Sequence, residues 1–184
     1  MVTLVSQENM VALVARTRRH LQRYNNQGRR QVVGCIPYRY KIPNQTFVDA
    51  RDLEVLVISS QKGKGMLFPK GGWEQDESKI EAASRETLEE AGVRGTIECE
   101  LGRWNFNSKT RDTYYEGFMF PLLVEEQLDF WPEKNARQRI WMTVQEAREV
   151  CQHWWMKDAL DRFVNRLTSP EQPAEEQAGP CSIS

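Results

Sequence analysis

Three glutamates, Glu86, Glu89 and Glu90, stand within one short stretch, Arg85-Glu86-Thr87-Leu88-Glu89-Glu90, whose residue types favour a helix. Each helical residue turns about 100°, so with Ile80 at zero they lie at roughly 180° to 280°, while Ile80, Ala83, Thr87 and Ala91 gather near zero. Carboxylates grouped on one side repel each other unless cations sit among them. Hard oxygens of this kind suit Mg²⁺, which keeps some of its waters and is commonly held by one or two carboxylates together with substrate phosphates. Ala82 adds no bulk between them, and Arg85 precedes Glu89 by four residues, where it can pair with it. Alone, the same pattern describes a solvated Glu-rich helix face.

The elements that must position these residues are readable nearby. Ser78 with Glu81 makes a capping box, and Gly92 stands where a C-terminal cap belongs, so the helix is predicted over Lys79 to Ala91. Before it, Gln61 to Trp73 reads as a Lys- and Gly-rich loop, ending in Phe68-Pro69-Lys70-Gly71-Gly72, whose glycines allow close backbone approach to a ligand. Strands are predicted over Gln31 to Tyr40 and Leu53 to Ser60, as antiparallel neighbours, then over Thr96 to Phe106, Thr113 to Val124 and Arg139 to Met142. Thr143 and Glu146 form a second capping box, opening a helix to about Gln152, and another runs from Trp155 to Leu167. Strands and helices mix without strict alternation, an α+β rather than a doubly wound pattern.

The 184 residues, 40% hydrophobic and 28% charged, suit one ordinary domain and exclude collagen-like or wholly disordered chains. Residues 1–27 read as a basic arm, with Asn9 to Tyr24 as an amphipathic helix, 28–167 as the catalytic domain, and 168–184 as a disordered tail. No apolar run approaches the roughly 20 residues that cross a bilayer. A net charge of -1 argues against general nucleic-acid affinity. Cys35, Cys99, Cys151 and Cys181 form no CxxC pair, and free thiols in a reducing compartment are expected. His20 and His153 lack metal-ligand spacing and are read as structural or surface residues. The expected location is the cytoplasm or nucleus, or the mitochondrion if the Arg-rich start is a transit segment.

The segment Gly71-x5-Glu77-x7-Arg85-Glu86-Thr87-Leu88-Glu89-Glu90-Ala91-Gly92-Val93 resembles the Nudix box of the Nudix hydrolases, departing only at Thr87, where an aliphatic residue is usual. The resemblance implies the Nudix fold, a mixed β-sheet in an α/β/α sandwich. It implies Glu86 and Glu90 as metal ligands, with the backbone of Lys70 or Gly71 as a further oxygen source, Mg²⁺ as cofactor, and Mn²⁺ as its substitute. Glu89 becomes the proton acceptor, although family members differ in which glutamate serves. Arg85 orients the glutamates, and Glu77 ties loop to helix. Such a site suits hydrolysis of a diphosphate.

Selectivity has to come from outside the box. Arg29 and Arg30, Lys62 and Lys64 with Lys70, Lys109 and Arg111, and Lys134, Arg137 and Arg139 form four basic groups suited to a densely phosphorylated ligand, with Gly71 and Gly72 beside it. From Gly28 to about Leu167 the chain resembles the diphosphoinositol polyphosphate phosphohydrolase branch in its plant form, where residues matching Arg30, Lys109 and Arg137 contact substrate phosphates. It departs from animal members in its Lys-Gly-Gly loop and its longer basic N-terminal extension. The implied partner is a small-molecule polyphosphate, an inositol pyrophosphate foremost, acted on by a monomer without nucleic acid or membrane. One alternative is a dinucleoside polyphosphate whose base stacks on Trp73, Trp104 or Phe106. Another is a non-catalytic polyphosphate sensor.

Overall fold

A strand that is apolar on both faces has to lie inside a sheet. Arg30–Tyr40 is such a strand, buried from Val32 to Tyr38. In the computed structural model, which describes residues 19–43, 49–61, 64–108 and 112–169, this β1 sits centrally. It pairs antiparallel with β2 (Leu53–Ser59) and with β4 (Lys70–Gly72), and parallel with β7 (Tyr114–Gln127). β7 carries β5 (Val93–Ile97) and β6 (Gly102–Asn107) on separate stretches, while β2 also takes β3 (Met66–Leu67) and β8 (Arg139–Thr143). The result is a mixed sheet of eight strands among the described residues.

Strand periodicity sends alternate residues to opposite faces. Val33 and Cys35 of β1, with Phe118, Phe120 and Leu122 of β7, meet Ala82 and Ala83 of the helix α1 (Lys79–Ala91). Ile36, Tyr38 and Met119 point the other way, toward Ala147 of α2 (Val144–Val150) and Trp155, Met156, Ala159, Leu160 and Phe163 of α3 (Trp154–Thr168). The sheet is thus covered by helices on both faces, as the sequence implies. Both predicted capping boxes form, and Gly92 takes φ 66°, a left-handed cap that a side chain would strain. Among the described residues no helix is long and apolar enough to cross a membrane.

Several expectations need correction. The strand expected over Thr96 to Phe106 is two strands interrupted at 98–101, each pairing with its own part of β7. The glycine-rich loop contains β3 and β4, because Gly71 and Gly72 hydrogen bond along Val33 and Val32. Ile80, in the first turn of α1, is exposed, whereas Ala83, Thr87 and Ala91 are fully buried. The helix expected over Asn9 to Tyr24 lies outside the described residues up to 18. The remainder holds one 3₁₀ turn, Arg19–Leu21, and then bridges at Gln22 and Tyr24. Arg23 and Gln75 bond across to Trp73 and Leu21, so the folded unit begins before Gly28. Helix α3 runs through Thr168, and most of the expected tail, 170–184, lies outside the described residues. Cys35 and Cys151 are free and buried, and Cys181 lies outside the described residues.

Candidate active site

The site is built where β4 runs beside α1. Lys70 lies opposite Gly34 of β1, and its backbone N–H donates to Glu90 Oε2 at 2.8 Å. A Cβ at Gly71 would overlap the Glu86 carboxylate, which therefore rests directly against the strand backbone and would have to move aside for any side chain there. Glu77 accepts from the Glu74 N–H at 3.0 Å and from Arg85 Nε and Nη2 at 2.9 and 2.7 Å. Arg85 reaches onward to Glu86 Oε1 at 2.8 Å, to the Gly72 carbonyl at 2.9 Å, and to Glu89 Oε2 at 3.6 Å. One guanidinium thus fixes the turn before the helix, the glycine strand and two of the three glutamates, a fork geometry that lysine could not reproduce. The pairing expected of Arg85 with Glu89 exists, but it is the weakest of these contacts.

All three glutamates are withdrawn from water; Glu89 is 7% and Glu90 6% exposed. Burial pushes the Glu90 carboxyl up to about 7, against the pull of Lys70 and Arg137, and raises Glu86 against the pull of Arg85. Among the described residues no three His, Cys, Asp or Glu side chains already converge as a closed metal cage. The donor set nonetheless fits a hard cation. The carboxyl of Glu86 lies against Gly71 and that of Glu90 against the Lys70 N–H, both raised by desolvation, and such withdrawn hard oxygens suit a hard cation.

A cavity of about 560 Å³ opens beside the glycine strand. Arg30, Lys70, Gly71 and Gly72 line one wall, and Phe106, Tyr115, Trp154 and Trp155 another. Asn107 and Ser108 also line it, and the chain leaves them toward Lys109 and Arg111, which lie outside the described residues. Arg30 is steadied by Gln22, whose Oε1 accepts from its Nε at 2.9 Å. Arg29 stands over Tyr114, 5.6 Å from the ring centre.

The other basic residues do not gather at the cavity. Arg139, expected to bind substrate, donates to the carbonyls of Ala91, Gly92 and Leu128 and stacks on Trp131, closing the C-terminal end of α1. Arg137 is buried, bonded to Glu90, to Glu133 and to the Ser59 carbonyl. Lys134 folds over Phe130 and Trp131, Lys64 sits in a turn closed by Ser60, and Lys62 lies outside the described residues. Sequence reasoning missed Glu133, whose N–H donates to the Glu89 carbonyl at 3.0 Å. It also missed Gln22 and the wall of Tyr115, Trp154 and Trp155. No periodicity or motif marks them; they are brought in by long-range pairing. His153, read as structural or surface, lines the same cavity.

A glycine strand packed on a glutamate-bearing helix, inside a mixed sheet covered by helices, defines a loop–helix carboxylate centre. The chain matches the NUDIX domain over residues 45–166, and it belongs to that family, the Nudix hydrolases. It is 63% identical to "Nudix hydrolase 17, mitochondrial" of Arabidopsis thaliana over 177 residues, covering 96% of each chain. It is 31% identical over 132 residues to mouse "Diphosphoinositol polyphosphate phosphohydrolase 3-alpha", covering 70% of this chain and 73% of that protein. The fold is also that of a Caenorhabditis elegans Ap4A hydrolase structure, with a TM-score of 0.55 at 21% identity, covering 74% of this chain and 96% of that one.

Proposed function

We propose that this chain hydrolyses a phosphoanhydride bond in a highly phosphorylated small molecule, an inositol pyrophosphate foremost. Mg²⁺, or Mn²⁺ in its place, held by Glu86, Glu90 and a backbone oxygen of Lys70 or Gly71, would neutralise charge on the anhydride oxygens and acidify water. Glu89 accepts the proton that water loses as its oxygen attacks phosphorus and the bridging P–O bond breaks. Arg85 keeps Glu86 turned to the glycine strand, and the Lys70 N–H keeps Glu90 beside it. Arg30 and Lys70 take the neighbouring phosphates.

The observation that carries the substrate reading is the basic wall of the cavity. Arg30 and Lys70 line it. The similarity to the mouse diphosphoinositol polyphosphate phosphohydrolase supports the same reading. The aromatics first considered for a base are otherwise engaged. The Trp104 indole is buried and donates to Asp158, Trp73 donates to the Glu77 carbonyl, and Phe106 is stacked between Tyr115 and Trp155. One feature favours a dinucleoside polyphosphate instead: Trp154, at the rim of the cavity, is 61% exposed and could receive a base.

A turnover screen with Mg²⁺ against inositol pyrophosphates and diadenosine polyphosphates tests this. A higher kcat/KM on the inositol substrates is expected; preference for the dinucleotides would transfer the assignment. The Arg-rich segment ahead of the fold and the similarity to a mitochondrial Nudix hydrolase of Arabidopsis support mitochondrial import, with cytoplasm or nucleus as the alternative. A fluorescent fusion of the full chain decides between them.

A further inference from the structure

Arg137 belongs to the carboxylate cluster. Its Nη2 donates to Glu90 Oε1 at 2.7 Å, its Nε to Glu133, and its Nη1 to the Ser59 carbonyl at 3.0 Å. Its side chain is only 7% exposed, as buried as its partner Glu90 at 8%. Glu133 is in turn fixed by its backbone bond to the Glu89 carbonyl. Three of the five N–H donors of this guanidinium are thus committed to partners in the protein interior.

We infer that Arg137, anchored by Glu133, is the resident counter-cation of the glutamate cluster, sharing Glu90 with any divalent cation that binds there and setting how tightly that cation is held. The inference rests on the reading that Glu86 and Glu90 hold the metal. The physical argument is one of charge. Glu86, Glu89, Glu90 and Glu133 bring four carboxylates to one end of the fold, and an unpaired buried carboxylate is strongly unfavourable. Arg85 serves Glu77, Glu86 and Glu89, while Arg137 pairs with Glu90 and Glu133 and Lys70 adds its backbone N–H and its charge at Glu90. The guanidinium therefore keeps the cluster folded when no metal is present. It also repels a second cation approaching Glu90, so it lowers metal affinity while raising metal-free stability.

The test is made on the full chain without substrate, reading Mn²⁺ affinity by electron paramagnetic resonance titration and thermal stability with EDTA or with Mn²⁺. For Arg137→Met the expected results are a lower Tm in EDTA, recovery of most of that loss with Mn²⁺, and a Kd for Mn²⁺ at least fivefold tighter than wild type. An unchanged or weaker Mn²⁺ affinity overturns the inference. Should Arg137→Met fail to fold in either condition, Arg137→Lys decides, because it keeps the charge but cannot hold three partners at once. A Tm gain from Mn²⁺ larger than the wild-type gain supports the counter-cation role, and an equal or smaller gain overturns it. Wild type and Glu86→Gln are titrated alongside. If Glu86→Gln leaves Mn²⁺ binding intact, the metal assignment itself has failed, whatever the Arg137 variants do.

Discussion

Gly71 and Glu86 occupy adjoining halves of one space: the hydrogen of the glycine leaves the volume that the glutamate carboxylate fills. Gly71→Ala is therefore expected to displace Glu86 from the strand rather than to strain the backbone. The Mg²⁺ concentration for half-maximal rate should rise at least tenfold with only a modest loss of Tm. An alanine variant with wild-type metal dependence would show that Glu86 does not work from this position.

Glu89→Gln is expected to remove most of kcat while leaving substrate Kd nearly unchanged, because it deletes a proton acceptor and keeps the shape. Glu86→Gln and Glu90→Gln should act instead on metal dependence. Steady-state kinetics at several Mg²⁺ concentrations separate the two behaviours. A Glu89→Gln enzyme with full kcat would move the base to another residue.

Thr87 is fully buried, and its hydroxyl donates to the Ala83 carbonyl at 2.8 Å. Thr87→Asp should cost about 2–4 kcal/mol as a buried, unpaired charge. Ile80→Asp, on the exposed first turn, should cost less than about 0.5 kcal/mol. Denaturant melts of the two variants check this directly; equal stabilities would mean that the helix is rotated from the position described.

Burial raises the Glu90 carboxyl to about 7 in the folded chain, whereas an unfolded glutamate titrates near ~4.3. The folded, metal-free form thus keeps a proton that the unfolded form releases. Its stabilising effect is complete below about pH 4 and is lost as pH rises through about 7. Metal-free Tm should therefore decline between about pH 5 and about pH 8, and added Mg²⁺ should raise Tm most at the upper end. A metal-free Tm that climbs steadily across that interval would contradict the burial argument.

Arg30→Ala should lower kcat/KM for an inositol pyrophosphate at least tenfold, corresponding to about 1.5–3 kcal/mol for a charged hydrogen bond. Lys109→Ala is expected to behave alike, and Arg29→Ala less severely, since Arg29 lies over Tyr114 and is not among the residues lining the cavity. Diadenosine polyphosphates should respond more weakly to all three. Equal losses on both substrate classes would remove charge as the basis of selection.

Local signals accounted for the helix and its ends, because capping boxes and a terminal glycine act within a few residues of themselves. They accounted equally for β1, β2 and β7, whose apolar runs could only be buried strands. They did not show the interruption between Ile97 and Gly102, where the apolar alternation shifts phase from Leu101 to Trp104 and the regular ladder along β7 gives way to single bonds from Glu98 and Leu101. Nor could they separate Arg30, which lines the cavity, from Arg137 and Arg139, which serve buried carboxylates and helix-end carbonyls. Arginines of both kinds look alike along a chain. The difference lies in which carbonyls and carboxylates the fold delivers to them.

β5 and β6 lean on different lengths of β7, the former across Leu122 to Gln127 and the latter across Tyr114 to Met119. The glutamates are held through α1, β4 and β1, none of which pairs with β6. A two-residue shift of β6, or a change in the length of the turn beyond it, would therefore carry Phe106 and Asn107 to new places while the hydrolytic machinery stayed where it was. The aromatic side of the cavity is thus built apart from the cutting machinery, whereas Arg30 and Lys70 share β1 and β4 with it, so re-registering one strand would reshape what lies beyond the phosphates and leave the phosphate contacts in place.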